Sequence, residues 1–109
     1  MMERRKSKRC SILQFMDVTL LKEEELLVEA VNIGEGGMLC RSKTPIQPLS
    51  PVYLMVRLPG VSDDYILKVE GSVMHVKESS EGWVFGVAFG PMTPEDRQAL
   101  TAFLSSCAE

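Results

Sequence analysis

The sequence predicts an all-β fold, a six-stranded antiparallel β-barrel with one C-terminal α-helix packed on it. Three observations predict it. Short apolar runs recur along most of the chain with turn-forming residues between them. One of these, VYLMVRL at 52–58, sets Val52, Leu54, Val56 and Leu58 against Tyr53, Met55 and Arg57, the period-two pattern of a half-buried strand. The closing segment, 93–107, changes to helical spacing behind a threonine. Closing six short antiparallel strands into a barrel removes the unpaired edges that an open sheet would expose.

The elements follow in order. SILQFMDVTL, 11–20, is the first predicted strand, and KEEE, 22–25, makes a polar turn after it. LLVEAVNI, 26–33, is the second strand, rich enough in apolar and β-branched residues to sit in a sheet. It breaks at Gly34, and EGG, 35–37, forms a turn in which positive φ is easily reached. GMLCRS, 37–42, is the third strand; TPIQPLSP, 44–51, has three prolines and is a loop. After the strand at 52–58, PGVSDD turns the chain. YILKVEGSVMHV, 65–76, is a long strand in which Gly71 marks an expected bulge. ESSEG turns again into WVFGVAFG, 83–90, where Trp83, Phe85, Val87 and Phe89 share a face. Trp83 and Phe85 read as core, with a place beside a ligand as the alternative for Trp83. Met38, Met55 and Met74 read as packing residues and His75 as structural. The helix has Thr93 as N-cap, Pro94 at its first position, Glu95 and Asp96 in its first turn, and an apolar stripe of Ala99, Leu100, Phe103, Leu104 and Cys107. The chain thus divides into a flexible basic segment at 1–10, a barrel at 11–90 and a helix at 93–107, all in one domain.

Composition narrows the function. Of 109 residues, 45% are hydrophobic and 25% charged, a soluble globular balance. No apolar run approaches the ~20 residues that span a bilayer, so no membrane insertion is expected, and no secretory signal follows the basic start. Charge is uneven. Residues 1–9 carry Arg4, Arg5, Lys6, Lys8 and Arg9 against Glu3, a net +4, whereas the remaining seven basic and fourteen acidic residues give −7. An acidic body disfavours nucleic acid as a partner, because backbone binding needs a spread basic surface. Cys10, Cys40 and Cys107 are widely spaced and match no zinc pattern, so they are expected to be free thiols in a reducing, cytoplasmic compartment. Cys10 lies beside Arg9, which lowers a thiol pKa, but the sequence places no base for it. With a single histidine and no nucleophile–base set, neither a catalytic site nor a metal site is expected, and the chain reads as a non-enzyme.

Two stretches exceed what folding needs. One is RKSKR, 5–9, of form RxxxR. The other is NIGEGG, 32–37, where a strand runs into a glycine-rich turn. Arginine forks suit phosphate oxygens and the O6/N7 edge of guanine, and they stack on purines. The turn offers an amide side chain, Asn32, with backbone that a ligand can approach closely. A planar base carrying phosphate would satisfy both halves.

Taken with GVAF near the end and the closing helix TPEDRQALTAFL, these motifs resemble the PilZ domain, the bacterial receptor domain for cyclic di-GMP, over nearly the whole chain. The resemblance implies a six-stranded barrel with a C-terminal helix, in agreement with the reading above. It implies cyclic di-GMP as ligand and no cofactor. It further implies that Arg5 and Arg9 grip guanine and phosphate, that Asn32 bonds a guanine edge, and that Gly37 permits the tight turn. An arginine at the position of Arg4 implies two intercalated ligand molecules. The chain departs from the family pattern at Gly34, where serine would donate a hydroxyl; a water or the Gly34 N–H is the expected substitute. The leading expectation is a receptor in which ligand orders the N-terminal arginine segment and thereby signals to a downstream partner protein. The alternative is a PilZ-like interaction adaptor that binds nucleotide weakly or not at all because of Gly34.

Overall fold

The computed structural model describes residues 9–20, 25–61 and 65–107. Its elements are strands β1 (Cys10–Leu20), β2 (Glu25–Ile33), β3 (Gly37–Ser42), β4 (Pro51–Leu58), β5 (Tyr65–Ser79) and β6 (Gly82–Phe89), followed by helix α1 (Pro94–Ser106). The strands close into a barrel in the order β1-β2-β3-β6-β5-β4, and every neighbouring pair is antiparallel. Each expected strand is present within one to three residues of its predicted bounds. Of the expected turns, KEEE at 22–25 lies outside the described residues except for Glu25, which begins β2, and PGVSDD at 59–64 is described only through Val61.

Alternation fills the barrel. In β4, Leu54, Val56 and Leu58 are wholly buried and Val52 nearly so, while Tyr53, Met55 and Arg57 face out. Phe85, Leu67, Val73, Val18, Val28 and Met38 meet them from the other strands. Met38 packs as expected, but Met55 and Met74 are about half exposed, at 49% and 46%, so the expectation that all three pack is corrected. They fall on the outward parity of their strands, and parity outweighs side-chain preference.

The barrel closes through its shortest ladder along one seam. β1 and β4 pair only through Val18–Leu20. Beyond that ladder the side chain of Gln14 acts as a short strand: its Nε2 donates to the Arg57 carbonyl at 3.0 Å, and its Oε1 accepts from the Arg57 N–H at 3.1 Å. The amide thus satisfies backbone groups that the splayed strands leave unpaired.

Helix α1 covers one end of the barrel. Thr93 accepts the Asp96 N–H at 3.1 Å, and Ala99, Leu100, Phe103 and Leu104 are buried against the core. A thirteen-residue helix is marginal alone. Burying each large apolar side chain contributes about 1.5–3 kcal/mol and holds it in place. Tyr65 Oη donates to Asp96 Oδ1 at 2.5 Å, which orients the first turn over the start of β5. That bond to a carboxylate raises the Tyr65 pKa to about 12, helped by desolvation and the charges of Asp96 and Glu95.

The expectation of three free thiols is corrected. Cys10 and Cys107 form a disulfide across 97 residues, and Cys40 alone is a free cysteine among the described residues. Cys40 is fully buried, and burial pushes its thiol up to about 12, where it is inert. Cys10, considered as a nucleophile, is occupied by the bond. Free thiols therefore no longer support a reducing compartment. No helix among the described residues is long and apolar enough to cross a membrane.

Candidate ligand-binding site

The two sequence motifs meet at the helix-covered end of the barrel. Cys10 pairs with Ile33 and Ser11 with Asn32, so the antiparallel β1–β2 register delivers Arg9 to the end of β2. There Arg9 Nε and Nη2 both donate to Asn32 Oδ1, at 3.1 and 2.8 Å. The contact joins residues 23 apart in sequence, and it engages the carbonyl oxygen of the Asn32 amide.

Asn32 faces outward because β2 changes parity just before it. Val28 and Ala30 point into the barrel, and strict alternation would send Asn32 inward after them. Instead the β2–β3 register shifts between Ala30 and Asn32, making Val31 an extra residue, and Ile33 becomes the next buried position. A bulge that re-aims a side chain in this way is common beside binding sites.

The glycine turn is held by its carbonyl groups. Gly34 N–H donates to the Gly37 carbonyl at 2.8 Å, Phe89 N–H to that of Gly36 at 2.8 Å, and Arg97 Nη1 to that of Glu35 at 3.2 Å. The N–H groups of Glu35 and Gly36 find no acceptor among the described residues. A methyl group placed on Gly36 would meet nothing within 4 Å, so this side of the turn is open. Unpaired N–H groups on an exposed turn are donors for an anion.

Two expectations about the glycines change. The turn does not use positive φ at Gly36 or Gly37; that conformation occurs at Gly60 and Gly82 instead. Gly37 is required by close approach, since a Cβ there would lie 2.2 Å from the Val87 carbonyl oxygen on β6. Gly71 likewise sits in an unbroken ladder, where a Cβ would lie 2.6 Å from the Ala88 carbonyl; the β5 bulge falls at Met74, between Val73 and His75. The Gly34 N–H, expected to stand in for the missing serine hydroxyl, is already engaged by Gly37.

Of the sequence-predicted site residues, Arg9, Asn32, Gly34 and Gly37 come together. Arg4 and Arg5 lie outside the described residues. Trp83 does not approach: it pairs with Ser42 at the other end of β3 and lines a separate groove with Leu26, Leu27 and Val84. Arg97 was not anticipated. An arginine in the first turn of a helix carries no sequence signal that it reaches a turn 62 positions earlier. Among the described residues no group of three His, Cys, Asp or Glu side chains is placed to hold a metal ion.

Solved structures share this fold. The chain is similar to the Bacillus subtilis inhibitor of motility, MotI/DgrA, at a TM-score of 0.78 and 23% identity over 95% of its length, and it spans only 51% of that protein. It is similar to the PilZ domain of YcgR from Escherichia coli, solved with c-di-GMP, at a TM-score of 0.74 and 15% identity, covering 96% of this chain and 92% of that one. The PilZ domain of CeSA from a cellulose-synthesizing bacterium matches at a TM-score of 0.66 and 11% identity, covering 90% and 95%. At these identities the likeness is one of fold. No curated protein matches the chain by sequence. The family model for the PilZ domain matches residues 3–106, nearly the entire chain, and the protein therefore belongs to the PilZ domain family.

Proposed function

We propose that the protein is a receptor for cyclic di-GMP and that ligand binding, by ordering the arginine segment at 1–10, changes the surface offered to a partner protein. The observation that carries this reading is the double hydrogen bond from Arg9 to Asn32. It brings the two motifs together at one place, where a guanidinium, an amide and open backbone N–H groups lie side by side. Phosphate oxygens and the acceptor edge of guanine are the chemistry that such donors recognise. The c-di-GMP with which the YcgR domain was solved, and the motility inhibition for which MotI is named, point the same way. Arg5 is taken as the second arginine of the grip, and Arg4 as the residue that sets two ligands per site. No enzymatic step is proposed. The cytoplasm is the proposed setting, and there the Cys10–Cys107 bond would be open to thiol reductants.

A second reading has its own observation. Gly34 lacks the family's hydroxyl, and its N–H is engaged by Gly37, so a protein-binding adaptor with weak or no nucleotide affinity is the competing function. Isothermal titration with cyclic di-GMP separates the two. The receptor reading expects saturable heat with a definite stoichiometry, and a loss of at least about thirtyfold in Arg9→Ala, the low end for truncating one partner of a charged hydrogen-bonded pair. No heat with protein at tens of micromolar sinks the receptor reading and leaves the adaptor.

A further inference from the structure

We infer that Arg97, on the first turn of α1, is a direct ligand contact, a third cation of the site that binds the anionic part of the ligand at the Glu35–Gly36 turn. The inference rests on the receptor reading and names a residue that neither sequence motif contains.

Arg97 is anchored at its root. Its backbone N–H donates to the Thr93 carbonyl at 2.9 Å, so the N-cap fixes the start of its side chain. From there the guanidinium crosses to the turn and spends one N–H, on Nη1, at the Glu35 carbonyl. A guanidinium has five N–H donors. Those on Nε and Nη2 make no hydrogen bond to any described residue. No acid among the described residues forms an ion pair with Arg97, although Glu35 and Glu95 are near in sequence or across the turn. Asp96, its neighbour, is committed to Tyr65. No acid among the described residues therefore neutralises this exposed charge.

The turn below Arg97 adds donors of the same polarity. It has its three carbonyl groups engaged and two N–H groups without acceptors, with open space beside Gly36. Fixed N–H donors beside this guanidinium make an environment for an oxyanion, and Glu35 is the only acid inside the turn to oppose it. A phosphate oxygen bound there would take one charge-assisted bond from Arg97. The same arginine also steadies the Glu35 carbonyl, and the test must separate that holding role from its charge.

Glutamine at position 97 keeps an N–H donor for the Glu35 carbonyl and removes the charge. Lysine keeps the charge and loses the fork. Titration of the whole chain with cyclic di-GMP at about 50 mM and about 500 mM NaCl reads the difference, because screening lengths fall from beyond to below the size of the site over that range. At low salt, Arg97→Gln is expected to bind about tenfold more weakly than wild type, the value of one hydrogen bond to a charged group. Its deficit should shrink to about twofold at high salt, where the lost Coulomb attraction no longer counts. Arg97→Lys should recover most of the loss at low salt. Thermal unfolding of both variants checks that the helix remains docked. An Arg97→Gln affinity equal to wild type at low salt overturns the inference while leaving the receptor reading intact. So does a loss that is the same at both salts, which marks a holding role alone. Absence of binding by the wild-type protein overturns the receptor reading itself, and this inference with it.

Discussion

The two ends of the barrel are built differently from the same strands. At the helix-covered end, where β2 finishes and β3 begins, contacts join distant parts of the chain. Cys10 is bonded to Cys107, Arg9 to Asn32, Arg97 to the Glu35 carbonyl and Tyr65 to Asp96. At the opposite end, β2 begins and β3 finishes beside an open groove of about 800 Å³, lined by Leu26, Leu27, Trp83 and Val84 with polar neighbours. Its charged contact is Arg41 with Glu29 at 3.2 Å, between half- and third-exposed side chains, a pair worth at most about 1 kcal/mol. Local turns shape that end, with Gly82 at φ 139 and the Ser42 hydroxyl holding Thr44. Side-chain ties between distant segments are concentrated where positions 9, 32, 35 and 97 meet. A hairpin turn can form from its neighbours alone, but a site assembled from positions 9, 32, 35 and 97 cannot.

The largest way to break that contrast is to cut the disulfide. Closing a loop of 97 residues restricts the unfolded chain strongly, and its removal is expected to cost about 3–5 kcal/mol. Denaturant unfolding with and without dithiothreitol, and of Cys107→Ser, measures it. The loss should be accompanied by weaker ligand binding, because Cys10 follows Arg9 directly and its partner terminates the helix that carries Arg97. An unchanged midpoint would mean that the packing of Leu100, Phe103 and Leu104 holds this end without the bond.

This feature was also the least legible in the sequence. Strand periodicity at 52–58 and the Thr93–Pro94 cap were local signals, and they placed β4 and α1 to within a residue. The pairing of Cys10 with Cys107 depends on barrel closure, which brings the first strand beside the last helix; wide spacing alone carried no sign of it. The same holds for Gly37. A flexible turn was the local reading, and the actual constraint is a carbonyl of β6, visible only once β3 and β6 are paired. Asn32 was identified from its motif, but its outward aim depends on the bulge at Val31, and no alternation pattern gave that away. Arg9 and Asn32 could be named as partners because a family resemblance supplied the long-range information that periodicity lacks.

A smaller effect sharpens the near end from within. Gly34→Ser restores the hydroxyl of the family pattern at a position whose own N–H is committed to Gly37. No backbone donor of residue 34 fills that role, so the added hydroxyl should tighten cyclic di-GMP binding by about tenfold, the lower value of a hydrogen bond to a charged group. Titration of the variant against wild type measures it. Unchanged affinity would mean that the N–H groups of Glu35 and Gly36 already provide what the hydroxyl offers. Weaker binding would mean that the buried position at Gly34 has no room for the side chain.

The smallest expected effect comes from the far end, and it needs no mutation. Trp83 is the sole tryptophan of the chain, so its fluorescence reports on the groove and on nothing else. It pairs with Ser42, whereas Asn32 and Gly37, in the proposed site, stand opposite Leu39 and Ala88 nearer the other end of the same strands. A purine stacked on an indole would quench its emission strongly, and a ligand confined to the helix-covered end should leave both intensity and wavelength nearly unchanged. Adding saturating cyclic di-GMP while exciting the tryptophan selectively distinguishes the cases. A flat response places binding at the end where the arginines converge and leaves the groove to some other surface role. A large quench would mean that the ligand, or a rearrangement it drives, reaches the groove at the opposite end. The contrast between the two ends would then describe the unliganded protein only.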